Sequence, residues 1–558
     1  MSTAWQQTYS LFGQQNGISV AIAALPVLTL LFLLGVKRKP AWVAGLSALG
    51  VAILLASAGY KMPAKLIIGS ATYGAAFGLF PISWIVLWAI ALYQVTIEGG
   101  QFKIIRASLG SLTSDLRLQV LLVAFAFGAF VEGATGFGTP VAVAAAMLVG
   151  FGVSPFYASA LCLLGNTAPV AFGSIGIPVI TLAGITGLPL NPLSGAVGRL
   201  CAPLSAVVPA YLITTMVGWR RMLEVWPAIV VAGGVFGAVQ FLMSNYVGPQ
   251  LTDIVTSLVV LGSLLVLFKF WQPRGVLVVG HPDAAAFVGT GAPSSSGPEQ
   301  SVKVELSTRE VLGAWMPYCL LVVFVLLWGF KPVQAFLNSA TADFAWPFLH
   351  NQIERVPPIV AKPALVAARY QVNWLSAAGT ACMFATLCSA VLLRISLRTF
   401  ARLMLSVCRQ LFLPTVTVAS VLSMAFVMNY CGATATLGLG FAASGALFPF
   451  CSPLLGWLGV FLTGSDTSSN ALFGSLQVLT ANHLGFNPVL MAASNSAGGV
   501  MGKMISLQTI AVAAAATGMS VSDQSKLFRF TLRHSIILAA IIGLEVSLYA
   551  YCFRGVSF

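Results

Sequence analysis

Two acids stand inside apolar sequence. Glu132 lies in FVEGATGFGTPVA and Asp466 in FLTGSDTSSNALFGS. Around Asp466 are Ser465, Thr467, Ser468, Ser469 and Asn470, and beside Glu132 are Thr135, Thr139 and several glycines. A carboxylate at the centre of a bilayer costs ~2.5–3.5 kcal/mol, so it persists where it is paired, protonated or facing a water-filled cavity. Hydroxyls, amides and the N–H groups of a starting helix together favour an anionic ligand. Lys503 adds a cation close to a second polar stretch. The chemistry within reach is binding of a small anion, with Glu132 and Asp466 as proton carriers, because burial favours the neutral carboxyl. Plainer roles exist for each group. Either acid would serve as a helix cap, Lys503 would snorkel to an interface, and Asn166 or Asn495 would satisfy backbone carbonyls freed by a break.

These residues recur in two settings with the same punctuation. The first runs from Phe130 to Pro178, the second from Thr463 to Gln508. Glu132 precedes Pro155 by 23 residues, and Asp466 precedes Pro488 by 22. Asn166-Thr167 then lead to Gly173, and Asn495-Ser496 lead to Gly502, at equal spacing. The apolar arms beside each acid are expected to hold about 10–14 residues, too short to span a bilayer and suited to re-entrant hairpins. NTAPVAFG and NSAGGVMG are expected to unwind two further helices at mid-membrane. Basic residues precede the first hairpin (Lys103, Arg106, Arg117) and follow the second broken helix (Lys526, Arg529), which points to opposite orientations. Paired broken helices in two halves mark a secondary transporter with inverted repeats. One half of an anion site would come from Ser465, Asp466, Thr467, Ser468 and Asn470, and the other from Glu132 to Thr139. Asn166, Thr167, Asn495, Ser496 and Lys503 would close it.

The surrounding chain fits this frame. Of its 558 residues 58% are hydrophobic and 8% charged, against roughly 25% charged in a soluble domain; mean hydropathy is +0.93. The fold class is an all-α polytopic membrane protein, because backbone in lipid must satisfy its own hydrogen bonds. Apolar runs from about 18–35 to 531–553 predict roughly 12–14 transmembrane helices, with two re-entrant hairpins and two broken helices. Residues 1–270 form the N-terminal half, with its hairpin and broken helix at 118–181. A polar cytoplasmic linker covers 271–310 and contains GTGAPSSSGPEQ. The C-terminal half is 311–558, with its hairpin and broken helix at 453–518. The first apolar run has basic residues after it and none before, so it reads as a retained span with its N-terminus outside.

The net charge of +14 would suggest nucleic-acid binding in a soluble protein. Here the basic residues sit between spans, and the positive-inside rule accounts for them without a polyanion partner. It places Lys37 to Lys39, the 98–117 loop, the turn at Arg220-Arg221, the 271–310 loop and the 394–410 loop inside; Lys61 and Lys65 would lie outside, against the rule. The nine cysteines and four histidines are scattered, so neither a disulfide framework nor a metal site is expected. No cofactor is implied. The glycines after Glu132 do not follow a strand, and no Walker A motif is present, so nucleotide-driven transport is disfavoured. A membrane enzyme would need a nucleophile–base grouping that the sequence does not supply.

At EGATGFGTPVA, LLGNTAPVAFGSIGIP, LGWLGVFLTGSDTSSNALFGSLQ and GGVMGKMIS the chain resembles the lactate permease family. The likeness continues through GQFKIIRASL and VGWRRMLEVWPAIVVAGG and covers essentially the whole chain. The resemblance implies a multi-pass permease of the bacterial plasma (inner) membrane, importing L-lactate, D-lactate and glycolate by proton symport, with no enzymatic activity. Two positions depart from the family's pattern: Thr135 stands where Ala is usual, and Leu507 where Pro is usual. Physics agrees with proton coupling. An inside-negative membrane opposes entry of a monocarboxylate by ~2.3 kcal/mol per 100 mV, and a co-transported proton removes that opposition. The rival readings are a sodium-coupled carboxylate symporter of similar architecture and a passive anion channel.

Overall fold

The computed structural model describes residues 4–11, 17–37, 39–110, 112–136, 138–278, 307–360, 362–519 and 521–553. Most of the 271–310 linker, with its GTGAPSSSGPEQ stretch, lies outside the described residues, as does Phe137 at the first hairpin tip. The chain is an all-α membrane protein. Among the described residues, 10 helices are long and apolar enough to cross a bilayer, or up to 13 when each bent pair counts as one span.

Charge and contacts agree on which loops share a face. Arg117 is buried and binds Asp115 at 2.7 Å and Glu224 at 2.5 Å. Its guanidinium also donates to the carbonyls of Arg221 and Gly275, and Asp115 accepts from the Leu277 N–H. One clamp therefore ties the 98–117 loop, the Arg220-Arg221 turn and the start of the linker together. The helix Leu397–Cys431 has 35 residues, ~52 Å at 1.5 Å per residue. That exceeds a ~30 Å hydrocarbon core, and its exposed Arg398, Arg402 and Arg409 mark the protruding end.

On another face a small β cap forms from the 331–371 region. Lys331–Asn338 is helical. Ala342–Ala345 then pairs antiparallel with Arg369–Val372, and Ile353–Arg355 pairs with Ala364–Leu365 and, in parallel, with Trp5–Gln6 of the N-terminus. The cap is docked on the helical region Ala64–Glu98, with the Tyr73 and Tyr370 hydroxyls donating to the carbonyls of Arg369, Ala76 and Phe80. The N-terminus and the 331–371 loop thus share a side, and Lys65 begins a helix that contacts the same cap.

The centre holds the two hairpins. The first has arms Leu116–Ala134 and Thr139–Gly150, and the second has arms Phe448–Thr463 and Asp466–Leu484. Their lengths of 19, 12, 16 and 19 residues mostly exceed the expected 10–14. Apart from Arg117, Gln119 and Glu132 the arm Leu116–Ala134 is apolar, and it is buried almost throughout; its neighbours are protein rather than lipid, which is why length alone misjudges it. Each hairpin packs against a helix from the opposite half. Asp466–Leu484 lies along Gly173–Thr186, with Asn470 Nδ2 donating to Pro178 O at 3.1 Å and Ser475 Oγ to Ile185 O at 2.8 Å. Thr139–Gly150 lies along Leu507–Thr517.

The expected breaks differ from one another. The first is present: Pro155–Gly165 ends before Asn166, the chain turns through 66°, and Ser174, Ile175 and Gly176 have φ of 48°, 60° and 75°. A β-branched residue in that region is a true outlier and marks the strained bend. The second break is not where NSAGGVMG predicts it. Pro488–Lys503 is a continuous helix, interrupted only at Met504 to Ser506, before Leu507–Thr517. The glycines serve close approach instead. A Cβ on Gly498 would strike the Pro453 carbonyl, and one on Gly502 the Trp457 carbonyl, both on the hairpin arm Phe448–Thr463.

Candidate functional site

Both tips and both interruptions meet at one small cavity of about 70 Å³. The first half contributes Glu132, Gly173 and Ser174 to its wall, and the second contributes Ser465, Asp466, Thr467, Lys503, Gln508 and Thr509. A water needs roughly 10–15 Å³ by this kind of measure, so the space suits a few waters or a solute of a few carbons.

The first hairpin delivers Glu132 near the end of its buried arm, one turn before the chain reverses. Gly136 makes the reversal at φ +63°, where a Cβ would also collide with the Ser174 hydroxyl. Ser174 Oγ instead donates to Thr135 O at 2.9 Å, tying the hairpin tip to the strained bend. Glu132 is 2% exposed and Lys503 7%. Lys503 Nζ donates to Glu132 Oε1 at 2.9 Å, and Asn166 Nδ2 to Glu132 Oε2 at 3.1 Å. Lys503 therefore does not snorkel; it bridges the halves as a buried ion pair. Asn166 Oδ1 has no partner among the described residues.

Asp466 opens the second arm, but it does not cap it. Ser465 is the N-cap, accepting from the Ser468 N–H at 3.3 Å. Asp466 Oδ2 accepts from Ser496 Oγ at 2.5 Å and from Asn470 Nδ2 at 3.4 Å, while Oδ1 is buried without a partner. Behind it the amides form a chain. Asn495 Nδ2 donates to Asn470 Oδ1 at 2.9 Å, and Gln477 Nε2 to Asn495 Oδ1 at 3.2 Å.

The residues predicted from sequence thus differ in whether they reach the cavity. Glu132, Ser465, Asp466, Thr467 and Lys503 reach the cavity wall. Asn166, Asn470, Asn495 and Ser496 stand behind it, holding the acids or one another. Thr135 and Thr167 spend their hydroxyls on the carbonyls of Val131 and Leu164 in their own helices. Thr139 and Ser468 do not line the cavity. The sequence reading missed Ser174, Gln508 and Thr509. Gln508 and Thr509 follow the interruption at 504–506, and the lost proline at Leu507 was the available signal.

A profile of the L-lactate permease family matches residues 19–553. The chain belongs to that family. The glycolate permease GlcA of Escherichia coli K12 is 44% identical over 562 residues, covering 99% of both chains. The L-lactate permease of Salmonella typhi is 43% identical, covering 98% of each, and that of Bacillus subtilis is 42% identical, covering 98% of this chain and 99% of its own. Among solved structures, Neisseria gonorrhoeae MtrF, described as illuminating a class of antimetabolite efflux pumps, aligns over 93% of this chain and 97% of its own. The TM-score is 0.50 at 13% identity, a likeness of fold alone. Family membership makes the chain a multi-pass plasma-membrane permease rather than an enzyme.

Proposed function

We propose that the permease imports 2-hydroxymonocarboxylates, L-lactate first and D-lactate and glycolate with it, by symport with protons. The observation that carries this reading is the Lys503 ammonium on the wall of a small cavity, paired with Glu132 of the opposite half. In the loaded state Lys503 exchanges part of this pairing for the substrate carboxylate. Ser465, Thr467 and Ser174 offer hydroxyls to the substrate's carboxylate and 2-hydroxyl. Glu132 and Asp466 are the acids of the wall through which protons reach the site. Asn166, Asn470, Asn495 and Ser496 position those acids, while Thr135, Thr139, Thr167 and Ser468 shape the tips. The two halves, 1–270 and 311–558, act as inverted repeats whose relative movement exposes the cavity to either side.

A sodium-coupled version has one observation in its favour: Asp466 Oδ1 and Asn166 Oδ1 are buried oxygens without donors, as cation ligands would be. One experiment separates the readings. L-lactate uptake is measured in proteoliposomes under an imposed inward proton gradient, with and without sodium. Accumulation by protons alone is expected. A strict sodium requirement would replace the proton reading, and flux that never accumulates against a gradient would point to a channel.

A further inference from the structure

Two buried acids lie outside the cavity wall among the described residues: Asp115, which Arg117 holds, and Asp253, which has no such partner. Asp253 stands in the first turn of the helix Thr252–Phe270 and is 1% exposed. That place would suit the helix dipole, yet neither carboxyl oxygen has a hydrogen-bond partner among the described residues. Its neighbourhood is the back of the Lys503–Glu132 pair. A Cβ on Gly133, the residue after Glu132, would lie 2.8 Å from the Asp253 Cβ, and both Glu132 and Lys503 act on Asp253 electrostatically. Other buried oxygens without partners among the described residues include Thr256 Oγ1 one turn along the same helix, Gln240 Oε1 on the preceding helix, and Asn166 Oδ1 beside Glu132.

An ionised carboxylate so placed has lost water without gaining a donor or a close countercharge. The neutral acid avoids that cost. We propose that Asp253 holds the coupled proton, bound and released according to the charge state of Lys503; this rests on the proton-symport reading above. The sign follows from the charges of the pair. With the cavity empty, the Lys503 ammonium opposes protonation of Asp253 and the Glu132 carboxylate favours it. A substrate carboxylate that neutralises Lys503 leaves the negative side dominant, so Asp253 holds its proton more tightly. When the substrate departs, Lys503 again favours release. Substrate and proton then bind with positive, reciprocal coupling, and the loaded carrier gains no net charge.

The test uses the full-length protein in proteoliposomes, with Asp253→Asn and Asp253→Glu. Two readouts are compared: L-lactate accumulation under an inward proton gradient, and L-lactate counterflow at equal pH on both sides. The wild type accumulates up to about tenfold per pH unit for a one-to-one symport. Asp253→Asn is expected to lose this, reaching only the external concentration, while counterflow stays within about twofold of wild type and becomes independent of pH. Asp253→Glu restores accumulation. Proton-driven accumulation by Asp253→Asn with the wild-type pH dependence would overturn the assignment. So would loss of counterflow in Asp253→Asn without rescue by Asp253→Glu, which marks a structural role. If the wild type itself accumulates nothing from a proton gradient, the symport reading fails first and takes this assignment with it.

Discussion

Replacing Lys503 by methionine removes the ammonium and keeps an unbranched apolar stem in the helix Pro488–Lys503. Lys503 is 7% exposed and its sole ion-pair partner among the described residues is Glu132 at 2.9 Å, so solvent screens the change little. If Lys503 binds the substrate carboxylate, the variant loses a hydrogen bond to a charged group, worth about 1.5–3 kcal/mol. At 1.4 kcal/mol per tenfold, half-saturation for L-lactate counterflow should rise roughly 10- to 150-fold. The single variant also strands Glu132 with only the Asn166 amide, a cost of about 3–5 kcal/mol when one member of a buried pair is removed. A lower melting temperature in detergent should report it. The double variant Glu132→Gln/Lys503→Met separates the two effects. With both charges gone, stability should return toward wild type while half-saturation stays high. Wild-type half-saturation in the double variant would refute the argument, because the pair would then serve the fold alone.

Further expectations concern other parts of the molecule. Arg117→Ala should destabilise by about 3–5 kcal/mol, because it leaves the fully buried Asp115 carboxylate unpaired; Glu224→Gln should cost ~1 kcal/mol or less, its side chain being 51% exposed. Comparing melting curves of the two variants checks the ranking. Gly502→Ala should cost about 1–3 kcal/mol, since its Cβ strikes the Trp457 carbonyl. Gly262→Ala, with nothing within 4 Å of its Cβ, should be neutral or stabilising by up to ~1 kcal/mol; equal melting temperatures for the two would contradict the close-packing account. Thr135→Ala should change L-lactate half-saturation by less than about threefold. Its hydroxyl is already engaged by Val131 O, and a net intrahelical bond is worth only ~1 kcal/mol.

Much of this architecture is legible in the chain. Apolar content dictates a helical membrane protein, because lipid admits no unsatisfied backbone, and basic residues between spans put the arginine-bearing loops on one face. The Gly-rich breaks around Glu132 and Asp466 mark real reversals, and NTAPVAFG marks a real bend. NSAGGVMG has a similar local composition and stays helical. A glycine that lets a helix unwind and one that lets another helix approach look alike in sequence; the difference lies in the Pro453 and Trp457 carbonyls, which only folding brings there. Lys503 likewise could not be matched to Glu132 from sequence, because that acid is 371 residues away. Asp253 gave no signal at all: one acid at the start of an apolar run reads as a helix terminus. Local patterns determine what each segment does to its own backbone. Which acid meets which cation, and which is left without a donor, depends on packing between the two halves, where long-range contacts set the desolvation that gives these groups their chemistry.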